Sequence, residues 1–234
     1  MSKRITSVLF DFAGTLFCPL PAGDWVMAAA RRSGTELSER ETEALAAAYL
    51  RVGLPGGPYP ASVPEPLRSA YAERDLSRDA HRRAYVGLLS TVRGPSPTFA
   101  EALYDEVLLP GSWVPYADTR PVVGALREAG IRMGVISNVG FDLRPILRDH
   151  AVVELADACT LSFEHGVAKP APAIFRAALD SLGSTPGETL MVGDHAEADG
   201  AAADLGCDTL ILPMSAPGAT HGLQRVVHRV LGSA

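Results

Sequence analysis

An α/β fold, a parallel sheet with helices on both faces and an all-helical segment inserted after the first strand, follows from three observations. Five apolar runs, Ile5–Phe12, Ile131–Ser137, Ala158–Ser162, Thr189–Gly193 and Asp208–Leu212, are continuous rather than alternating. Continuous runs belong to strands buried on both faces, the usual condition of a parallel sheet. Amphipathic stretches separate the later runs, whereas the interval between Cys18 and Trp113 carries helix signals alone.

Taken in order, the inserted interval predicts helices over Asp24–Ser33, from the capping box Ser38-Glu39-Arg40-Glu41 to Val52, and over Pro66–Asp75, Ser77–Val92 and Thr98–Leu109. Pro- and Gly-rich stretches at Gly53–Pro64 and Gly94–Pro97 punctuate it. Beyond it, helices are predicted over Arg120–Ala129, Phe141–His150, Pro172–Leu182 and Ala196–Leu205. Gly130, Gly183 and Gly206 supply stop signals just past the first, third and fourth. The expected division is a core of residues 1–17 and 114–234 and a helical unit of residues 18–113.

With 234 residues, 47% hydrophobic and 21% charged, the chain can bury a sizeable core. A net charge of -6 argues against nucleic acid as a partner, since no basic face overcomes the acidic balance. Cys18, Cys159 and Cys207 lack metal-type spacing, and an odd number fits a reducing compartment. The apolar part of Met1–Phe10 is too short for a signal peptide or a membrane span. The expectation is a cytoplasmic monomer or homodimer that binds neither membrane nor nucleic acid.

The candidate chemistry sits at the ends of the apolar runs. Asp11-Phe12-Ala13-Gly14-Thr15-Leu16 places a carboxylate at a strand exit, followed at once by a glycine turn. Ser137-Asn138 ends a second run, Gly166-Val167-Ala168-Lys169-Pro170 precedes a helix, and Gly193-Asp194 ends a third run with Asp199 close behind. Singly, each has a structural reading: Ser137 as a local hydrogen-bonder, Asn138 and Asp194 as helix caps, Lys169 as a surface lysine. Lys3 and Lys169 are the only lysines among 21 Lys and Arg residues, which singles out Lys169. A compact ammonium suits a place where one charge must reach a carboxylate and a phosphoryl oxygen together.

Asp, then Ser, then Lys, then a second acidic pair, in this order over the whole chain, resembles the haloacid dehalogenase superfamily of hydrolases. The resemblance implies a Rossmann-like core, with residues 18–113 as a helical cap domain. It further implies phosphoryl transfer through Asp11 as nucleophile, with Ser137, Asn138 and Lys169 binding the phosphoryl group. A Mg²⁺ ion would be held by Asp11, the Ala13 carbonyl and Asp194, with Asp199 as a ligand or a support behind the ligands. Crowded carboxylates independently call for a cation, and oxygen ligands without a His or Cys cluster favour Mg²⁺ over Zn²⁺. The expected partner is a small phosphorylated or anionic molecule.

One position departs from the pattern. Phosphatases of this superfamily mostly carry a second Asp two residues after the first, where this chain has Ala13. General acid–base help is worth about 10²–10⁴-fold, so simple alkyl phosphates become poor substrates unless another group supplies the proton. The segment Asp11–Thr15 also looks like that of phosphonoacetaldehyde hydrolases, but the interval Cys18–Trp113 lacks the lysine those enzymes use. Thr15-Leu16-Phe17, Ser137-Asn138 and Lys169-Pro170 suit 2-haloacid dehalogenases, so dehalogenation or C–P cleavage is one alternative. A silent binder of phosphorylated metabolites is the other. Trp25, Arg31, Tyr59, Arg74 and His81 are the inserted side chains suited to recognising an anionic or aromatic substrate, and His195 beside Asp194 reads as a structural histidine.

Overall fold

The computed structural model describes residues 4–152, Leu155 and residues 158–232. Lys3 and the other terminal residues of the sequence reading, at 1–2 and 233–234, lie outside that set. The chain enters as β1 (Ser7–Phe10), turns through Asp11–Leu16 and forms β2 (Phe17–Pro19). Helices α1 (Ala22–Ser33), α2 (Glu39–Val52), α3 (Arg68–Ala72), α4 (Arg78–Ser90) and α5 (Phe99–Val107) follow, and β3 (Trp113–Pro115) closes the segment. Then come α6 (Thr119–Glu128), β4 (Arg132–Ser137), α7 (Arg144–Asp149), β5 (Ala158–Leu161), α8 (Ser162–His165), α9 (Pro172–Leu182), β6 (Thr189–Gly193), β7 (Asp208–Ile211) and α10 (Gln224–Leu231).

The main sheet has the order β5-β4-β1-β6-β7 and is parallel throughout. Its central strand is the one that delivers Asp11. Val8, Leu9 and Phe10 are fully covered, and burying each such side chain contributes about 1.5–3 kcal/mol. Phe10 pairs with Val135 on one side and Val192 on the other, so β4 runs two residues and β6 one residue past the end of β1. That register puts the residues after Phe10, Ile136 and Val192 at one carboxyl edge, where ligands of such sheets gather.

The local signals act as expected at most elements. Ser38 Oγ accepts from the Glu41 amide while the Glu41 side chain accepts from the Ser38 amide, completing the capping box of α2. Gly130, Gly183 and Gly206 all take the left-handed conformation past their helices. Three stretches differ. The helix expected over Pro66–Asp75 is a 3-10 turn, Glu65–Leu67, followed by the short α3, because Pro66 fits only a first turn. That expected over Phe141–His150 begins at Arg144, with Pro145 in its first turn. The last, Ala196–Leu205, is a 3-10 run beginning only at Gly200.

Two features were not expected. Strands β2 and β3 pair antiparallel, Phe17 opposite Pro115 and Pro19 opposite Trp113, so the entry and exit of the helical segment run side by side. The amphipathic α10 packs against α6. Beneath the carboxyl edge, Phe12 stacks on Phe17 at 4.8 Å and meets Trp113 edge-on at 5.0 Å, a rigid aromatic floor behind the turn at Asp11. Among the described residues no helix is long and apolar enough to cross a membrane.

Candidate active site

The turn after β1 has no freedom to wander. The Asp11 amide donates to the Val192 carbonyl at 2.8 Å, and the Phe12 carbonyl accepts from the Leu16 and Phe17 amides at 3.0 Å each. Gly14 has φ +85°, and a Cβ there would lie 2.5 Å from Asp194 Oδ2. Only glycine therefore lets the β1 turn and the end of β6 approach so closely.

Lys169, in the loop between α8 and α9, reaches into this edge. Its Nζ donates to Asp11 Oδ1 at 2.6 Å, to Asp199 Oδ1 at 2.6 Å and to the Ile136 carbonyl at 3.1 Å. The ammonium is buried, as are Asp11 and Asp199. Asn138 holds the lysine's main chain: its amide Nδ2 donates to the Lys169 carbonyl at 2.8 Å, and Oδ1 accepts from the Lys169 amide at 2.7 Å. The Asn138 carboxamide is thus committed to positioning Lys169. Ser137, buried at the end of β4, faces the same cleft.

Asp199 spends both oxygens, Oδ1 on Lys169 and Oδ2 on the His195 amide at 3.0 Å. His195 is exposed, and its Nδ1 accepts from the Ala198 amide. One carboxylate oxygen from each of Asp11, Asp194 and Asp199 can be chosen so that all lie within 4.8 Å of one another. Burial raises the Asp11 carboxyl above the usual range, Lys169 opposes this, and the charges of Asp199 and Asp194 add to it. Burial and Asp199 likewise raise Asp194. Burial works against the Lys169 charge, but Asp11 and Asp199 outweigh it and hold the ammonium above its ordinary value. One ammonium among three carboxylates leaves negative charge in excess, and an all-oxygen donor set fits a hard divalent cation. No backbone amide among the described residues donates to the Ala13 carbonyl, which leaves that oxygen available at the same edge.

The edge opens into a cleft of about 520 Å³, with Asp11, Ala13, Ser137, Asn138, Lys169, Asp194 and Asp199 on its floor. The helical segment forms the opposite wall. Of its expected side chains, Tyr59, Arg74 and His81 line the cleft; Trp25 and Arg31 do not. Trp25 is instead fully buried among helices, and Arg31 is exposed in the last turn of α1, so amphipathic packing claimed both. Sequence reasoning missed Asp75, Tyr71, Tyr85, Phe141 and Glu197 on the walls. Asp75 had a legible signal, an acid beside the singled-out Arg74 at the end of a predicted helix.

The model of the haloacid dehalogenase-like hydrolases matches residues 5–206. A haloacid dehalogenase-like hydrolase domain-containing protein 3 from Danio rerio is 28% identical over 152 residues, 58% of this chain and 63% of that one. The chain spans less than two thirds of the length of the curated relatives it matches. A 2-haloacid dehalogenase from Pseudomonas syringae pv. Tomato DC3000 superposes with a TM-score of 0.59 at 25% identity, over 97% of this chain and 98% of that one. A HAD phosphatase from Thermococcus onnurineus shares the fold, with a TM-score of 0.60 at 21% identity over 97% of this chain and 98% of that one. With the match covering four of the five strands of the main sheet and all four motif positions, the chain belongs to the haloacid dehalogenase-like hydrolases.

Proposed function

We propose that this hydrolase is a Mg²⁺-dependent phosphohydrolase acting on a small phosphorylated molecule through an aspartyl-phosphate on Asp11, with residues 18–113 serving as its cap. The observation that carries this reading is the Asp11 carboxylate, held by Lys169 at 2.6 Å and crowded by Asp194 and Asp199 on the floor of a cleft. Asp11 and Asp194, with the Ala13 carbonyl, would hold the ion. Asp199, whose oxygens are already engaged, supports Lys169 behind them. Bound there, Mg²⁺ would neutralise the carboxylates and draw charge from the phosphoryl oxygens.

The chain's own groups do the rest. Lys169 fixes one oxygen of Asp11, leaving the other to attack phosphorus. The same ammonium and the Ser137 hydroxyl then stabilise charge on the transferring group, each such donor contributing on the order of 3 kcal/mol. Water next attacks the aspartyl-phosphate and releases phosphate. The aromatic floor of Phe12, Phe17 and Trp113 keeps bulk solvent from the back of the site.

A dehalogenase or C–P hydrolase is the second reading, favoured by Ala13, because neither carbon–halogen nor activated C–P cleavage needs a proton delivered to an alkoxide. A screen of purified protein, with and without Mg²⁺, against alkyl, aryl and acyl phosphates, phosphonates and 2-haloacids separates them. Mg²⁺-dependent phosphate release from phosphate esters is the expected result. Halide release without metal would replace this reading with the dehalogenase one, and no release from any class would leave a binder.

A further inference from the structure

We propose that Asp75, in the turn between α3 and α4, is the general acid and base that position 13 lacks. The assignment rests on the phosphohydrolase reading above.

Asp75 lines the same cleft as Asp11, from the opposite wall. Its place there is fixed from the core. The Ser162 hydroxyl donates to the Asp75 carbonyl and accepts from the Val139 amide at 2.9 Å, tying the turn to the loop that follows Ser137. Gly140 makes the approach possible, since a Cβ there would come within 2.7 Å of the Arg74 carbonyl oxygen. The backbone of Arg74 and Asp75 therefore sits directly against the Ser137–Phe141 loop. The arrangement is long-range in sequence and locked by a buried hydroxyl, so it fixes the Asp75 main chain at the cleft wall, and Arg74 is the carboxyl's own partner there.

The surroundings of that carboxyl suit proton transfer. Arg74 lies 3.3 Å away and stacks over Tyr71 at 4.2 Å, while Tyr85 and Lys169 are the other charged or titratable groups facing it. Burial raises Asp75 above the usual carboxylate range even though Arg74 and Lys169 pull it down. Four other titratable groups on the walls are less fit. His81 is pressed down to about 3 by burial and bonds Tyr104 through Nδ1, so its ring is neutral rather than an imidazolium acid near neutral pH. Burial raises the Tyr71 and Tyr85 hydroxyls, which makes them poor at taking a proton back. Glu197 is exposed and solvated.

In the first step Asp11 forms its bond to phosphorus as the P–O bond to the leaving group breaks, and the Asp75 proton passes to that oxygen to give the alcohol. In the second, the Asp75 carboxylate takes a proton from water as the water oxygen attacks phosphorus and the Asp11 O–P bond breaks. Phosphate leaves, and both carboxyl groups return to their starting states.

Asp75→Asn keeps the shape and removes the proton. With Mg²⁺ present, kcat/KM, which reads the first step, should fall about 100-fold or more on an alkyl phosphate but less than about 3-fold on p-nitrophenyl phosphate, whose leaving group needs no proton, while kcat falls on both because the second step loses its base. Asp75→Glu should restore part of the alkyl activity, and Glu197→Gln should leave the ratio between the two substrates unchanged. Equal losses of kcat/KM on both substrates with hydrolysis still dependent on Asp11, or the leaving-group effect appearing in Glu197→Gln instead, would overturn the role of Asp75 alone. Hydrolysis that survives Asp11→Asn would overturn the phosphohydrolase reading and this assignment with it.

Discussion

Lys169 Nζ and Asp11 Oδ1 lie 2.6 Å apart although 158 residues separate them in the chain. The contact joins the loop before α9 to the exit of the central strand, and a second bond from the same ammonium, to Asp199, adds the loop after β6. With its bond to the Ile136 carbonyl of β4, four segments meet on one buried charge. The lysine organises the site before any substrate arrives, which is the condition under which a charged donor is worth most in a reaction.

Replacing it tests that role. Lys169→Met should unfold at lower denaturant than the parent in Mg²⁺-free buffer, by about 3–5 kcal/mol, because breaking a buried pair leaves uncompensated charge. Adding Mg²⁺ should recover part of the loss, since a divalent ion neutralises the same carboxylates. Equal stability of parent and variant without metal would show that the network contributes nothing.

Metal binding should centre on Asp194, which carries fewer hydrogen bonds than Asp199 and faces Asp11. Titration calorimetry of Asp194→Asn is expected to show Mg²⁺ binding weakened at least tenfold. Unchanged affinity would place the ion elsewhere.

Gly14→Ala should injure the site without touching a functional group. The left-handed backbone costs a residue with a Cβ about 1–2 kcal/mol, and the new carbon would strike Asp194 Oδ2. The expected outcome is a modest fall in Tm and a large rise in the Mg²⁺ concentration needed for activity. A fall in Tm with unaltered metal dependence would mean that the turn and Asp194 relax independently.

His81 gives the fold a definite pH dependence. Burial lowers its pKa to about 3, so the folded state keeps the ring neutral while the unfolded chain protonates it near 6.5. Its contribution is present above 6.5 and is lost as the pH falls toward 3, at up to about 1.4 kcal/mol per pH unit. Between pH 6.5 and 5 the parent should lose about 1.5 kcal/mol more than His81→Asn in chemical denaturation. Parallel curves for the two proteins would contradict this.

How much of this was legible in the sequence differs between the sheet and the site. Continuous apolar runs announced every strand of the main sheet, because burial on both faces leaves no room for polar alternation, and the Ser38–Glu41 box announced α2 to the residue. The ribbon of β2 and β3 escaped, since strands of three residues carry no periodicity. On the floor of the cleft, order along the chain sufficed to group Asp11, Ser137, Lys169 and Asp194. What order does not encode is which oxygen faces which donor. The attachment of Asn138 to the Lys169 backbone and of Asp199 to Lys169 appears only in the folded geometry. The wall residues were hidden for a related reason. Trp25 and Tyr85 look alike in an amphipathic helix, and only the packing of one helix against the next decides which ring meets the cleft.

The central claim, that Asp11 forms a bond to phosphorus, is tested most directly by chemical trapping. Enzyme mixed with Mg²⁺ and ³²P-labelled acetyl phosphate, quenched in acid within milliseconds and digested, should yield label on the peptide containing Asp11, in an amount that falls as turnover completes. Asp11→Asn should yield neither label nor turnover. Turnover in the parent without label on that peptide, together with wild-type turnover in Asp11→Asn, would contradict the account.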